Sequence, residues 1–322
     1  MTTSRWLLLV LTFLVAAVLA VAIGTISVPL SAIIDAFRGD QSTPAMVVRS
    51  LRVPRVVLAV LVGAGLGMSG AALQGTMRNP LAEPYLLGVS GGAAVGAVLA
   101  TVAGVGFAFV PIAAFVGAIL AVIAAFFVAR AAGSRGDARV LLMAGVVVGA
   151  FANAAIMVLL ANAEPNVVRN ALWWMMGSVA DATWPQINVL FGYVLVGGGA
   201  VAFLGRRIDV LALGEDAAAG LGLDVDRAIR DVFILSSLVA AATVAAAGLI
   251  GFVGLVVPHI ARSFGARQHR PLIVASGIIG ATLVVLADLL GRVLRPPAEL
   301  PLGAVTALVG VPFFLAKLRH LR

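Results

Sequence analysis

The 322-residue sequence has no cysteine, a single lysine at Lys317 and only 11% charged residues. Missing thiols exclude disulfides and thiolate metal sites. No G-x-x-x-x-G-K-[ST] run occurs, so the chain has no phosphate-cradling P-loop and is not itself an ATPase. The one G-x-S-x-G match, Gly88 to Gly92, puts a serine in an apolar run. The three histidines, His259, His269 and His320, fall at a span end or in flanking polar sequence. A nucleophile needs a base beside it, so helix packing is the better reading of that glycine cluster than a hydrolase elbow. Carboxylates inside apolar runs are scarce too, with Glu83 between prolines and Asp288 near a span end. That argues against the alternative of an ion-coupled secondary transporter, whose spans usually carry such groups.

What is present is apolar sequence. Hydrophobic residues make up 62% of the chain and the mean hydropathy is +1.12, far from soluble proteins with about 25% charged residues. The chain reads as an all-α, polytopic membrane protein whose first partner is the lipid bilayer. A net charge of +8 in a soluble protein would suggest nucleic acid. Here the basic residues are scattered among apolar runs, which points to membrane orientation and excludes a nucleic-acid partner.

Apolar runs of a length suited to about 30 Å of hydrocarbon lie at 6–23, 56–73, 85–105, 107–129, 140–161 and 187–204. The first exceeds the usual core of a cleavable signal peptide, so it reads as a retained span. Further runs cover 272–290 and 303–316, while 232–260 could be one long helix or two, at 232–247 and 251–264. With ten spans and the N-terminus inside, 15 basic residues face the cytoplasm and seven face outward; with nine the split is even at 11 each. The excess of arginine and lysine on cytoplasmic loops selects about ten, with both termini cytoplasmic. The whole chain then forms one transmembrane domain. Glycines four apart (Gly63 and Gly67; Gly88, Gly92 and Gly96; Gly145 and Gly149) predict closely packed helices.

Between the sixth and seventh runs lies a charged segment, 206–231, too polar for hydrocarbon. Glu215 and Asp216 follow Gly214, where a helix N-terminus favours negative charge, and Ala217 to Ala219 propagate a short helix. Composition alone leaves open whether this is a connecting loop or a docking surface, although its length exceeds ordinary loops of about 4 to 6 residues. On the outer face by this topology, Arg49, Arg52 and Arg55 precede the second run and Arg292 and Arg295 precede the last. Basic residues are disfavoured there, so an acidic partner or anionic substrate explains them better than interfacial snorkelling. The stretch 166–178, with Trp173, Trp174, Met175 and Met176, could line an entrance or anchor at the interface.

Several motifs then converge: Arg52-Val53-Pro54-Arg55, RNPLAEPYLLGVSGGAAVGA from Arg78, LALGEDAAAGLGL from Leu211, GFVGLVVPHIAR from Gly251, and ADLLGR with AELPLGAVTALVGVPFF from Ala287. Together, in this order, they resemble the permease subunits of ABC importers for iron-siderophore complexes, haem and cobalamin. The resemblance implies a type II importer in the cytoplasmic membrane of a bacterium or archaeon. Its partners are a second permease copy (a homodimer), two ABC ATPase subunits and an extracytoplasmic substrate-binding protein. It implies neither catalysis nor a cofactor in this chain, and import of a ferric siderophore first, haem or cobalamin next. Leu213, Gly214, Glu215, Asp216, Ala218, Ala219 and Gly222 would meet the ATPase. Arg52, Arg55 and Arg292 match family arginines that pair with glutamates of the binding protein; Arg49 and Arg295 join them on charge alone. Ser134, Arg135 and Arg139 match the cytoplasmic gate.

Overall fold

The computed structural model describes residues 1–24, 28–29, 31–133 and 137–319. Every regular element among them is helical. In chain order they are α1 (Thr3–Ala22), α2 (Ser31–Phe37), α3 (Thr43–Val47), α4 (Val53–Thr76), α5 (Val89–Val102), α6 (Val110–Ala131), α7 (Ala138–Ala161) and α8 (Pro165–Met175). There follow α9 (Trp184–Tyr193), α10 (Gly199–Phe203), α11 (Gly205–Leu211), α12 (Glu215–Gly220), α13 (Val225–Ala247), α14 (Val253–Ser263), α15 (His269–Val293) and α16 (Leu302–Arg319). Five-residue π turns, Val48–Arg52 and Val194–Gly198, join α3 to α4 and α9 to α10 into continuous, slightly overwide helices.

Among the described residues seven helices, so joined, are long and apolar enough to cross a membrane, and Val89–Val102 and Leu302–Ala316 are shorter apolar helices. The chain is therefore a polytopic membrane protein. Its outer surface is apolar: Leu7, Leu11 and Leu14 on α1, Met143, Phe151 and Val158 on α7, and Leu308 and Leu315 on α16 are exposed.

Helix α4 is the axis of the bundle, buried along nearly all its length. Glycine lets it be so. A Cβ on Gly63 would overlap the Gly280 carbonyl of α15, one on Gly67 the Ser276 carbonyl, and one on Gly70 the Gly254 carbonyl of α14. Gly280 faces Gly63 reciprocally, so the two backbones touch without intervening side chains, as small residues permit in membrane helices. Gly92 and Gly96 bring α5 equally close to Gly117 and Ala113 of α6, whereas a Cβ on Gly149 would meet open space.

Two helices begin inside the bundle. At 14 residues, α5 is only about 21 Å long; it follows a 3-10 turn, Pro84–Leu87, ended by Gly88 at φ +82°. At 11 residues, α14 is shorter still, and follows an irregular stretch from Gly248 to Phe252, with Phe252 at φ +67°. The two irregular stretches satisfy each other: the Ile250 N–H donates to Tyr85 Oη at 3.1 Å and the Phe252 N–H to Glu83 Oε1 at 3.4 Å. Non-helical backbone at membrane depth is tolerable only when buried polar groups are met in this way.

Candidate functional site

Polar chemistry gathers at the two ends of α4. Just beyond its C-terminus Arg78, at φ +47°, places Nη2 3.6 Å from Glu215 Oε1. The charged segment supplies the rest of this end. Gly214, at φ +114°, turns the chain from α11 into α12, a conformation that glycine adopts without steric cost. Glu215 and Asp216 then fall in the first helical turn. Ala218 is fully buried against Ala138, Leu211, Ala228 and Ile229. With that face anchored, Leu213 (65% exposed), Leu221 (67%), Ala219 and Gly222 project outward. The result is a low, rigid knob with two exposed leucines and two carboxylates.

Beside it lies a cleft of about 410 Å³ lined by Arg78, Asp137, Arg139, Leu213 and Gly214 to Ala217. Asp137 caps α7 by accepting the Arg139 N–H at 2.7 Å, which sets the Arg139 side chain at the cleft. The cleft thus unites Arg139, expected at a gate, with the segment expected to meet an ATPase. Ser134 and Arg135 lie outside the described residues.

At the other end of α4 the five arginines divide. Arg49 and Arg295 are exposed. Arg52 and Arg292 are 5% and 3% exposed and tie down the C-terminus of α1. Arg52 Nη1 donates to Val21 O (2.9 Å) and Ala22 O (2.7 Å), and Arg292 donates to Ala20 O (3.0 Å) and Ile23 O (3.2 Å). A helix end leaves such carbonyls without internal partners, and cations suit its negative pole. Arg55 is gripped by two carboxylates, with Nη2 2.7 Å from Asp288 Oδ1 and 2.8 Å from Glu299 Oε2. Asp288 also lies 3.1 Å from Arg292 Nε one helical turn on.

Charge counting groups the five cations, names Asp288 only as a carboxylate near a span end and does not name Glu299. The spacing of Asp288 and Arg292, four apart on one helix, was the available signal. Glu299 had none, because only the fold brings the α15–α16 connection to α4. Sequence reading also missed a pair inside the bundle, buried Gln74 and half-buried Arg262. Ser90, of the G-x-S-x-G match, has its Oγ 3.5 Å from the Tyr85 carbonyl oxygen. Trp173 and Trp174 line a cavity of about 400 Å³ with Phe107, Asn170, Asp181 and Gln186.

The described residues form a helical membrane bundle with an exposed charged knob at one end and an arginine cluster at the other. The sequence matches the FecCD transport family over residues 9–320, and the chain belongs to that family. It is 33% identical over 314 residues to the Fe(3+)-citrate import system permease protein YfmE of Bacillus subtilis (97% of this chain, 94% of that one). It is 39% identical over 283 residues to the cobalamin import system permease protein BtuC of Halobacterium salinarum (87% and 75%). Its fold matches a solved metal-chelate type ABC transporter in an inward-facing conformation, with TM-score 0.86, 27% identity and 98% coverage of both chains. The protein is the permease subunit of an ABC importer, and the enzyme of such a system is a separate ATPase.

Proposed function

We propose that this permease imports an iron chelate, a ferric siderophore first, across the cytoplasmic membrane of a bacterium or archaeon by alternating access. Two copies would enclose the pathway, two ATPase subunits would sit beneath and a binding protein would dock above. The chain would cross ten times with both termini in the cytoplasm. The spans would be those read from the sequence, including the short α5 and α14, and the coupling segment would be 206–231.

The observation that carries this reading is the knob at α12. Its inner face is locked by Ala218 while Leu213, Glu215, Asp216, Ala219 and Gly222 stand outward, so it can be pushed as a unit. Motion arriving there reaches Arg139 through the shared cleft, and Ser134 and Arg135 would complete that gate. Higher in the bundle, the irregular stretches before α5 and α14 supply joints between rigid helices, where hinge and shear motions concentrate. Permease relatives named for iron-citrate, hydroxamate, haem and cobalamin import support a bulky chelate as cargo.

The test is ATP-dependent uptake by proteoliposomes holding the permease and its ATPase, with the binding protein preloaded with ferric siderophore, haem or cobalamin. Accumulation that needs both partners and ATP is expected, greatest for a ferric siderophore. Uptake driven by an ion gradient alone would overturn the mechanism.

A further inference from the structure

Arg55 is held by two acceptors of unlike character. Asp288 sits on α15, is 4% exposed and receives Nε at 3.0 and 3.1 Å and Nη2 at 2.7 Å. Glu299 is 35% exposed and sits on the connection between α15 and α16, where residues 294–298 are all exposed. It receives Nη1 at 2.9 Å and Nη2 at 2.8 Å in a two-point fork. A two-point fork of this kind adds shape specificity to charge. The two acceptors use different edges of the guanidinium, so losing Glu299 would still leave Arg55 aimed by Asp288.

The charge balance points the same way. Arg52, Arg55 and Arg292 against Asp288 and Glu299 leave one positive charge in excess, and withdrawing Glu299 leaves two. Exposed Arg49 and Arg295 add to it on the same surface. An acidic surface approaching this end would meet a positive field whose best-oriented fork already has a carboxylate in it.

We propose that Glu299 is an internal stand-in for a carboxylate of the arriving binding protein. In the free permease it occupies the outer fork of Arg55; on docking it is exchanged for a partner carboxylate, while Asp288 keeps the guanidinium in place. This rests on the proposal above that a binding protein docks on the permease, and deepens it by placing that docking at Arg55. Because a fork is broken for each fork made, docking stays reversible, and the partner must offer an aspartate or glutamate opposite Arg55. Arg52 and Arg292 are positioning residues here, committed to the end of α1 rather than to the partner.

The experiment uses the permease–ATPase complex in lipid nanodiscs titrated with its binding protein. Glu299→Gln, which keeps shape and removes charge, should tighten the dissociation constant about three- to tenfold. Glu299→Ala should move it in the same direction. In an Arg55→Gln background, which by itself weakens binding, the gain should vanish. Unchanged or weaker binding in both Glu299 variants, with Arg55→Gln still weakening, overturns the exchange and leaves the docking reading standing. A gain that persists without Arg55 overturns the exchange as a bulk charge effect. Binding unaltered by Arg55→Gln overturns the docking role and the exchange together.

Discussion

Arg262 on α14 donates from Nη1 to Oε1 of Gln74 on α4 at 2.9 Å, although the two residues are 188 positions apart. The other end of the same amide donates to the carbonyls of Leu255 (3.1 Å) and Gly254 (3.3 Å). One buried glutamine thus serves both a charge and a helix start. Replacing it by leucine would leave the half-buried guanidinium without this acceptor, a loss of about 1.5 to 3 kcal/mol for a hydrogen bond to a charged group. Gln74→Leu should therefore lower the melting temperature of the detergent-solubilised protein. Adding Arg262→Leu should recover part of the loss, as expected when both partners of the pair become apolar; no recovery would refute the pairing.

The contact of Gly63 with Gly280 predicts a sharp positional difference among glycines. Gly63→Val or Gly280→Val should abolish folding, seen as loss of the monodisperse peak in size-exclusion chromatography, because the facing backbone cannot yield to a side chain. Gly149→Ala should be tolerated, and should gain about 0.5 to 1 kcal/mol from reduced chain entropy in the helix. An equal effect at the three sites would contradict the packing.

At the knob, Glu215→Arg with Asp216→Arg should leave the protein inserted and folded, since both side chains are exposed, yet abolish co-purification with the ATPase. Ala218→Glu should act differently, by lowering the yield of folded protein, because it drives a charge into the cluster of Leu211 and Ile229. Retained co-purification in the double arginine variant would remove α12 from the coupling surface.

The division among the arginines predicts that stability and docking separate. Arg52→Gln or Arg292→Gln takes the donors from carbonyls at the end of α1, at about 0.5 to 1.5 kcal/mol for each hydrogen bond lost, and should lower the thermal midpoint. Arg49→Gln with Arg295→Gln should leave the midpoint within a degree or two while weakening binding-protein association, more so at low salt, as for exposed charges on an association surface. A stable protein lacking the Arg52 and Arg292 guanidiniums would show that α1 is held by other means.

Composition and periodicity by themselves determined that this chain is helical, membrane-embedded and free of its own ATPase site, because hydrocarbon admits few polar groups and their absence is written in every apolar run. They also predict that 206–231 is not a span, since its ten charges are costly in lipid, whereas the structure starts α13 at Val225 within that segment. Packed glycines were legible as spacings, but not that Gly63 would face Gly280 or that Gly149 would face nothing. Tertiary structure alone decided that α5 and α14 start inside the bundle, with Glu83 and Tyr85 taking the N–H groups of Phe252 and Ile250. It alone decided that the arginines form two sets. Burial of a strand of sequence depends on local composition, which a linear reading contains. The partner of a given charge depends on which distant segment the fold brings to within 3 Å, and Asp288 and Glu299 stand more than 230 positions from the arginine they hold.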